Sequence, residues 1–286
     1  MLSAGENINV YLRPRSLDEA VNALGQYRAQ VLAGGTDYYP SLGERPPDGP
    51  LIDITALKEI KGIVAETNHF RIGGLTTWSE ILVAPLPRCF DALKSAAREI
   101  GSVQIQNRGT VAGNLCNASP AADSVPPLLA LNAEVELISK RGMRRVPLVD
   151  FIVGNRKTLR EPGEILTSVI VPRDLEDAAS AFVKLGARRY LVISIAMVAA
   201  VVSVHEGKVC EARIAVGSCS VRAQRLGELE RVLNGAPVGD GLRALVSPEH
   251  FESLSPIDDV RASAAYRRDA ALVLVRRALD LCVGAA

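Results

Sequence analysis

The sequence predicts an α+β chain in two parts, on three observations. Up to about Pro172, short strand patterns mix with short helix patterns and never settle into the even spacing of repeated βαβ units. After Pro172-Arg173-Asp174 the texture changes to a long hairpin pattern followed by helices. The first part also carries two stretches of small residues, Ala33-Gly34-Gly35-Thr36-Asp37 and Gly109-Thr110-Val111-Ala112-Gly113-Asn114. Each comes directly after an apolar or helical segment, and small residues let backbone N–H groups crowd around an anion that a Cβ would block.

Ser16-Leu17-Asp18-Glu19 is a capping box, with Ala20, Val21 and Leu24 on one face, so a helix is expected from Leu17 to Leu24, stopping at Gly25. A short strand, Gln30 to Ala33, leads into the first glycine pair. Gly43 to Pro50 reads as a loop, and 51–54 and 69–72 as strands. Thr77-Trp78-Ser79-Glu80 is a second capping box. Phe90, Leu93, Ala97 and Ile100 fall at helical spacing before Gly101. The chain then enters the second small-residue stretch, read as a loop. Pro126-Pro127 suits the first turn of a helix through Leu131, and 134–138 alternates as a strand. In the second part, 181–185 reads as a strand, 193–204 and 208–216 as a hairpin around Glu206-Gly207, and 266–283 as the clearest helix. A boundary near residue 175 follows, dividing 1–175 from 176–286.

Composition narrows the function classes. The chain has 286 residues, 48% of them hydrophobic, and a net charge of +1 with both signs mixed along its length. No clustered basic face marks a nucleic-acid partner. The five cysteines lie far apart, without a C-x-x-C or a Cys/His cluster, so no metal or iron–sulfur site is expected. Their odd count fits reduced thiols in a cytoplasm. Met1 to Glu6 lacks the regions of a signal peptide. The longest apolar run, Leu191 to Val204, is broken by two serines and is shorter than the roughly 20 residues of a membrane span. Neither glycine stretch has the G-x-G-x-x-G spacing or the G-x-x-x-x-G-K-[ST] pattern. Alone, either reads as an ordinary turn; together they suggest a dinucleotide pyrophosphate held from two sides.

These two stretches resemble the FAD-binding motifs of the flavoprotein (medium) subunits of molybdenum hydroxylases, the family of aerobic carbon monoxide dehydrogenase and bacterial xanthine dehydrogenases. Ile100-Gly101-Ser102 with Gln104, Arg108 and Gly109 is similar to the family's approach to the second motif, and 117–123 to its continuation. Glu161-Pro162-Gly163-Glu164-Ile165-Leu166 matches the segment ending its flavin domain. Ala181 to Lys184 with Arg188, and Pro256 to Arg267, resemble the start and closing helix of its C-terminal domain. The resemblance covers nearly the whole chain. It implies a two-lobed FAD-binding domain of the PCMH (vanillyl-alcohol-oxidase-like) type, with lobes of about 1–57 and 58–175, and a smaller α+β C-terminal domain with an antiparallel sheet.

The resemblance also implies roles. Ala33, Gly34, Gly35, Thr36 and Asp37 with Thr110, Val111, Ala112, Gly113 and Asn114 would hold the FAD pyrophosphate through backbone N–H groups and the Thr36 and Thr110 hydroxyls. Asn114 would add a side-chain donor. Asp123 would accept from the adenosine ribose or a neighbouring group; a helix N-cap is the bland alternative. Leu166 would pack near the flavin. Lys184 would reach the cofactor from the second domain, against the alternative of a solvated strand lysine. Tyr38 and Tyr39 are candidates to lie against the cofactor, with core packing expected for at least one. Two departures stand out: Ala112 where relatives often have glycine, and Val192 where many have an acidic residue. No catalytic side chain and no metal ligand is demanded of this chain. The implied function is a cytoplasmic FAD-binding electron-transfer subunit, without nucleic-acid partner or membrane span. Its partners would be a large molybdopterin-cofactor subunit and a small [2Fe-2S] iron–sulfur subunit, in a dimerised heterotrimer. A free-standing FAD-dependent oxidase or reductase, or a structural subunit without flavin, are the competing readings.

Overall fold

The computed structural model describes residues 10–239 and 241–284. The reading of Met1 to Glu6 as lacking an export signal lies outside them. The chain starts with β1 (Tyr11–Leu12), α1 (Leu17–Gln26), β2 (Gln30–Leu32), α2 (Tyr38–Leu42) and β3 (Leu51–Asp53). These strands form a three-stranded parallel sheet in the order β1-β3-β2. Ser16 caps α1 by accepting from the Glu19 N–H, and Ala20 and Leu24 are the buried positions. The helix runs past Gly25. That glycine does not end it but makes room for a side chain, since an added Cβ would come within 2.5 Å of Lys140 Cε.

A five-stranded antiparallel sheet follows, β4-β5-β10-β6-β7. Its strands are β4 (Ile63–Ala65), β5 (His69–Gly73), β6 (Glu134–Ser139), β7 (Gly142–Pro147) and β10 (Ile165–Pro172); a small β8 (Ile152–Gly154) and β9 (Lys157–Thr158) pair lies beside it. Central β10 is buried at every position from Ile165 to Val171, and its apolar residues, interrupted by Thr167 and Ser168, do not alternate with polar ones. Across β5, β10 and β6, Arg71 Nη1 lies 2.6 Å from both Glu136 Oε1 and Ser168 Oγ. Helices α3 (Trp78–Val83), α4 (Asp91–Glu99), α5 (Val103–Gln106), α6 (Val111–Asn117), α7 (Val125–Ala130) and α8 (Leu148–Phe151) cover one side. Thr77 closes a complete capping box with Glu80 at the start of α3.

The remaining chain forms an antiparallel sheet, β11-β12-β13-β14, from β11 (Ala179–Leu185), β12 (Ala196–His205), β13 (Lys208–Gly217) and β14 (Gln224–Arg225). It is followed by α9 (Gly227–Leu233), α10 (Gly241–Ala244) and α11 (Ala264–Val283). The alternation along β12 decides what the sheet touches. Val198, Ala200 and Val202 share a core with Leu274, Val275 and Ala278 of α11. Ala199 and Val201 face the other way and join the core of the preceding helices, with Leu128 and Leu129 of α7. The sheet therefore lies between α11 and the first part of the chain. Polar clamps cross the same junction: Ala92 N–H donates to Ser180 Oγ at 2.9 Å, and Arg222 Nη1 donates to the Val149 and Ile152 carbonyls. The expected α+β fold is present. No helix among the described residues is long and apolar enough to cross a membrane.

Candidate functional site

The first glycine stretch leaves the carboxyl end of β2, where open α/β sheets present ligand-binding loops. Gly34 has no room for a side chain. An added Cβ would collide with the Arg108 carbonyl oxygen and come within 3.1 Å of Gly109 Cα. Gly35 takes a left-handed φ of 73°, which glycine adopts without strain. Thr36 Oγ1 sits 3.4 Å from where a Gly109 Cβ would be. The two stretches, far apart in sequence, are thus in backbone contact. Among the described residues nothing accepts from the backbone N–H groups of Gly34, Gly35, Thr36 or Asp37. Neither adjacent tyrosine is a core residue. Tyr39 is 53% exposed with its ring against Gly35, and Tyr38 meets it edge to face at 5.2 Å.

The second stretch is not a loop but a helix start. Thr110 is the N-cap of α6 and its hydroxyl accepts from the Gly113 N–H at 3.1 Å. The N–H groups of Val111, Ala112 and Asn114 donate to the carbonyls of Thr76, Gly74 and Thr110 at 3.0, 3.1 and 3.0 Å. Each amide from Val111 to Asn114 therefore already has an acceptor in the chain. The donors left without an acceptor among the described residues are the Thr110 N–H, its hydroxyl hydrogen and the Asn114 carboxamide NH2, with Thr110 itself 5% exposed. Asn114 Oδ1 accepts from Ser124 Oγ at 2.6 Å, which leaves its NH2 to donate. The Ala112 methyl is directed into the protein. Ala112 is 7% exposed, belongs to the main core, and its Cβ approaches Gly74, where a second Cβ would come within 3.1 Å.

Asp123 brings the two halves of the chain together. Its Oδ2 accepts from Lys184 Nζ at 2.6 Å and its Oδ1 from Ser194 Oγ at 2.5 Å. Burial pushes the Asp123 carboxyl above its ordinary pKa, against the opposing pull of Lys184 and Ser194. Both alternative readings fall here. Ser124, not Asp123, occupies the N-cap of α7, and the Lys184 side chain is only 7% exposed rather than solvated. Leu166 is 3% exposed in the same core as Ala112, so little of its side chain is open to a ligand. Val192 packs on Gly186. A cavity of about 310 Å³ opens beside Ser194, with Ser218 Oγ and Arg267 Nε buried on its wall and without a partner among the described residues.

This arrangement fits an anionic dinucleotide. Four amides of one loop have no acceptor among the described residues, and the Thr110 hydroxyl and the Asn114 carboxamide each keep a donor at the start of the neighbouring helix. The buried Lys184 ammonium is held by Asp123, the chain neighbour of the Ser124 that bonds Asn114. A family model described as the FAD binding domain in molybdopterin dehydrogenase matches residues 5–174. The chain belongs to that family. Its cofactor is FAD, and it is an oxidoreductase subunit of the xanthine and carbon monoxide dehydrogenase type. A second model, the CO dehydrogenase flavoprotein C-terminal domain, matches residues 181–281. Among relatives in this molybdopterin dehydrogenase family, the nicotinate dehydrogenase FAD-subunit of Eubacterium barkeri is 35% identical over 269 residues, covering 91% of this chain and 90% of its own. A putative xanthine dehydrogenase FAD-binding subunit of Escherichia coli is 32% identical, with 96% of both chains covered. Solved structures agree. A chain of carbon monoxide dehydrogenase from Hydrogenophaga pseudoflava superposes with a TM-score of 0.87 at 29% identity, over 97% of each chain. A chain of quinoline 2-oxidoreductase from Pseudomonas putida 86 reaches 0.89 at 26%, over 97% of this chain and 98% of that one.

Sequence reasoning missed the supporting residues of the site. Gly74 and Thr76 engage the α6 amides through their carbonyls, and a carbonyl role leaves no side-chain signature. Ser124 and Ser194 are serines in apolar surroundings, and only the fold shows that they meet Asn114 and Asp123. Among the described residues no group of three His, Cys, Asp or Glu side chains is placed to hold a metal ion.

Proposed function

We propose that this chain is the FAD-bearing medium subunit of a molybdenum hydroxylase. It would take electrons from a small [2Fe-2S] subunit and pass them through the flavin to an external acceptor. A large molybdopterin subunit would oxidise the substrate. The single observation that carries the reading is the contact of the two glycine stretches beside four unengaged amides, in a chain of this family. Bound FAD supplies redox chemistry in steps of one or two electrons, which joins a two-electron substrate oxidation to one-electron carriers. The protein binds and orients it. In this reading Gly34 to Asp37 hold the pyrophosphate with backbone N–H groups, with Ala33 leading in from β2. Thr110 and Asn114 add side-chain donors, and Val111 to Gly113 form the rigid turn that aims them. Lys184, held by Asp123, faces the flavin end, and Leu166 supports the floor beneath Ala112.

The same reading divides the chain into a FAD-binding domain, 1–175, with lobes of about 1–57 and 58–175, and a C-terminal domain, 176–286. It places the complex, a dimerised heterotrimer, in the cytoplasm. A small polar acceptor entering the cavity beside Ser194 would meet two unengaged donors, Ser218 Oγ–H and Arg267 Nε–H. Co-purification from the native source tests the assembly. A molybdenum subunit and an iron–sulfur subunit are expected to accompany a yellow chain; a flavin-free chain that purifies alone would overturn the proposal.

A further inference from the structure

The Lys184 ammonium has three N–H donors, and among the described residues it engages one acceptor, Asp123 Oδ2 at 2.6 Å. A buried ammonium with two unengaged donors is incomplete without a ligand. Its orientation depends on Asp123, and Asp123 in turn depends on Ser194. Ser194 is 1% exposed, and its hydroxyl grips the carboxylate oxygen that Lys184 does not use. Without that grip the carboxylate is free to rotate about its Cβ–Cγ bond, and the ammonium follows it. The cluster is also continuous with the second glycine stretch. Ser124, the chain neighbour of Asp123, donates to Asn114 Oδ1 at 2.6 Å. One hydrogen-bonded row thus runs from α6 through residues 123 and 124 to β11 and the start of β12.

We propose that Ser194 is a positioning residue that, through Asp123, fixes the Lys184 ammonium with its two remaining donors toward the flavin ring. The inference rests on the reading that Lys184 faces the cofactor. A fixed cation beside the ring stabilises the added negative charge of the reduced form more than the oxidised form, so its aim sets the ratio of the two affinities. Ser194 touches neither flavin nor substrate in this role.

The test is a redox titration of the flavin absorbance in the purified full chain, comparing wild type with Ser194→Ala, Ser194→Cys and Lys184→Met. Loss of the serine hydrogen bond is expected to change the ratio of affinities for reduced and oxidised FAD by about threefold or more. Ser194→Cys keeps the volume with a weaker donor, and a smaller change in the same direction is expected; it also serves if the alanine variant fails to fold. Lys184→Met is expected to change the ratio most. Should Ser194→Ala and Ser194→Cys lower the melting temperature while the ratio stays at the wild-type value, Ser194 is only a clamp between the two halves and the inference is wrong. In that case a changed ratio in Lys184→Met leaves the FAD site reading intact. An unchanged ratio in Lys184→Met as well would show that Lys184 does not face the flavin, and the site reading itself would fail.

Discussion

Gly34 lies directly against the carbonyl of Arg108, so the two glycine stretches are held together backbone to backbone with no side chain between them. The contact explains why the first stretch needs glycine at 34 for a different reason than at 35. Gly35 meets a conformational demand, a positive φ, whereas Gly34 meets a steric one. In Gly34→Ala the new methyl would push the loop away from 108–109, at a cost of about 1–3 kcal/mol for overpacking at a rigid backbone. The expected result is a melting temperature lowered by several degrees and flavin content reduced beyond what that destabilisation explains. Flavin stoichiometry measured well below the transition separates the two effects.

The double variant Thr110→Ala with Asn114→Ala removes the two unengaged side-chain donors at α6 together with its N-cap. Loss of the cap costs about 1 kcal/mol of stability, which a domain with this core survives. FAD occupancy should fall markedly while far-ultraviolet circular dichroism stays that of the wild type. Unchanged flavin content would mean that the pyrophosphate is held without these two residues.

Much of this architecture was legible because its signals are local. Ser16 and Thr77 mark helix starts through their own side chains, and the Glu206-Gly207 turn fixes the β12–β13 hairpin. What stayed hidden depends on tertiary context. Strand β10 was not read as a strand, although it is the centre of its sheet, because burial on both faces erases the alternation that marks a half-buried strand. The stretch 109–114 reads as a loop since glycine and threonine weaken helix propensity, yet the carbonyls of Gly74 and Thr76 fix its first turn as helix. The two glycine stretches themselves stand out in the sequence as motifs. The partners of Asp123 were not, because nothing in the sequence between 123 and 194 says that those positions meet.

The methyl of Ala112 yields a sharper expectation than sequence alone. Facing Gly74 and the core, it does not stand between the protein and a phosphate. Ala112→Gly should therefore leave FAD affinity within about twofold of wild type, while lost helix propensity and a lost buried methyl together lower stability by about 1–2 kcal/mol. Tighter flavin binding in the glycine variant would show that the methyl does crowd the ligand.

Glu136 gives a pH signature independent of the cofactor. Hydrogen bonding from Arg71, opposed by partial burial and aided by the Arg71 charge, holds its carboxyl down to about 2, against an ordinary value of 4.5. Because the folded value is the lower one, the stability it contributes is fully present above about 4.5 and is lost as pH falls toward 2. Urea midpoints measured between pH 6 and about pH 2.5 should therefore fall more steeply for the wild type than for Glu136→Gln, which has no such proton to take up. The glutamine variant should also be the less stable of the two at neutral pH, since Arg71 and Arg145 then lose their shared carboxylate on the sheet. Parallel curves for the two proteins would place the acid sensitivity of the fold elsewhere.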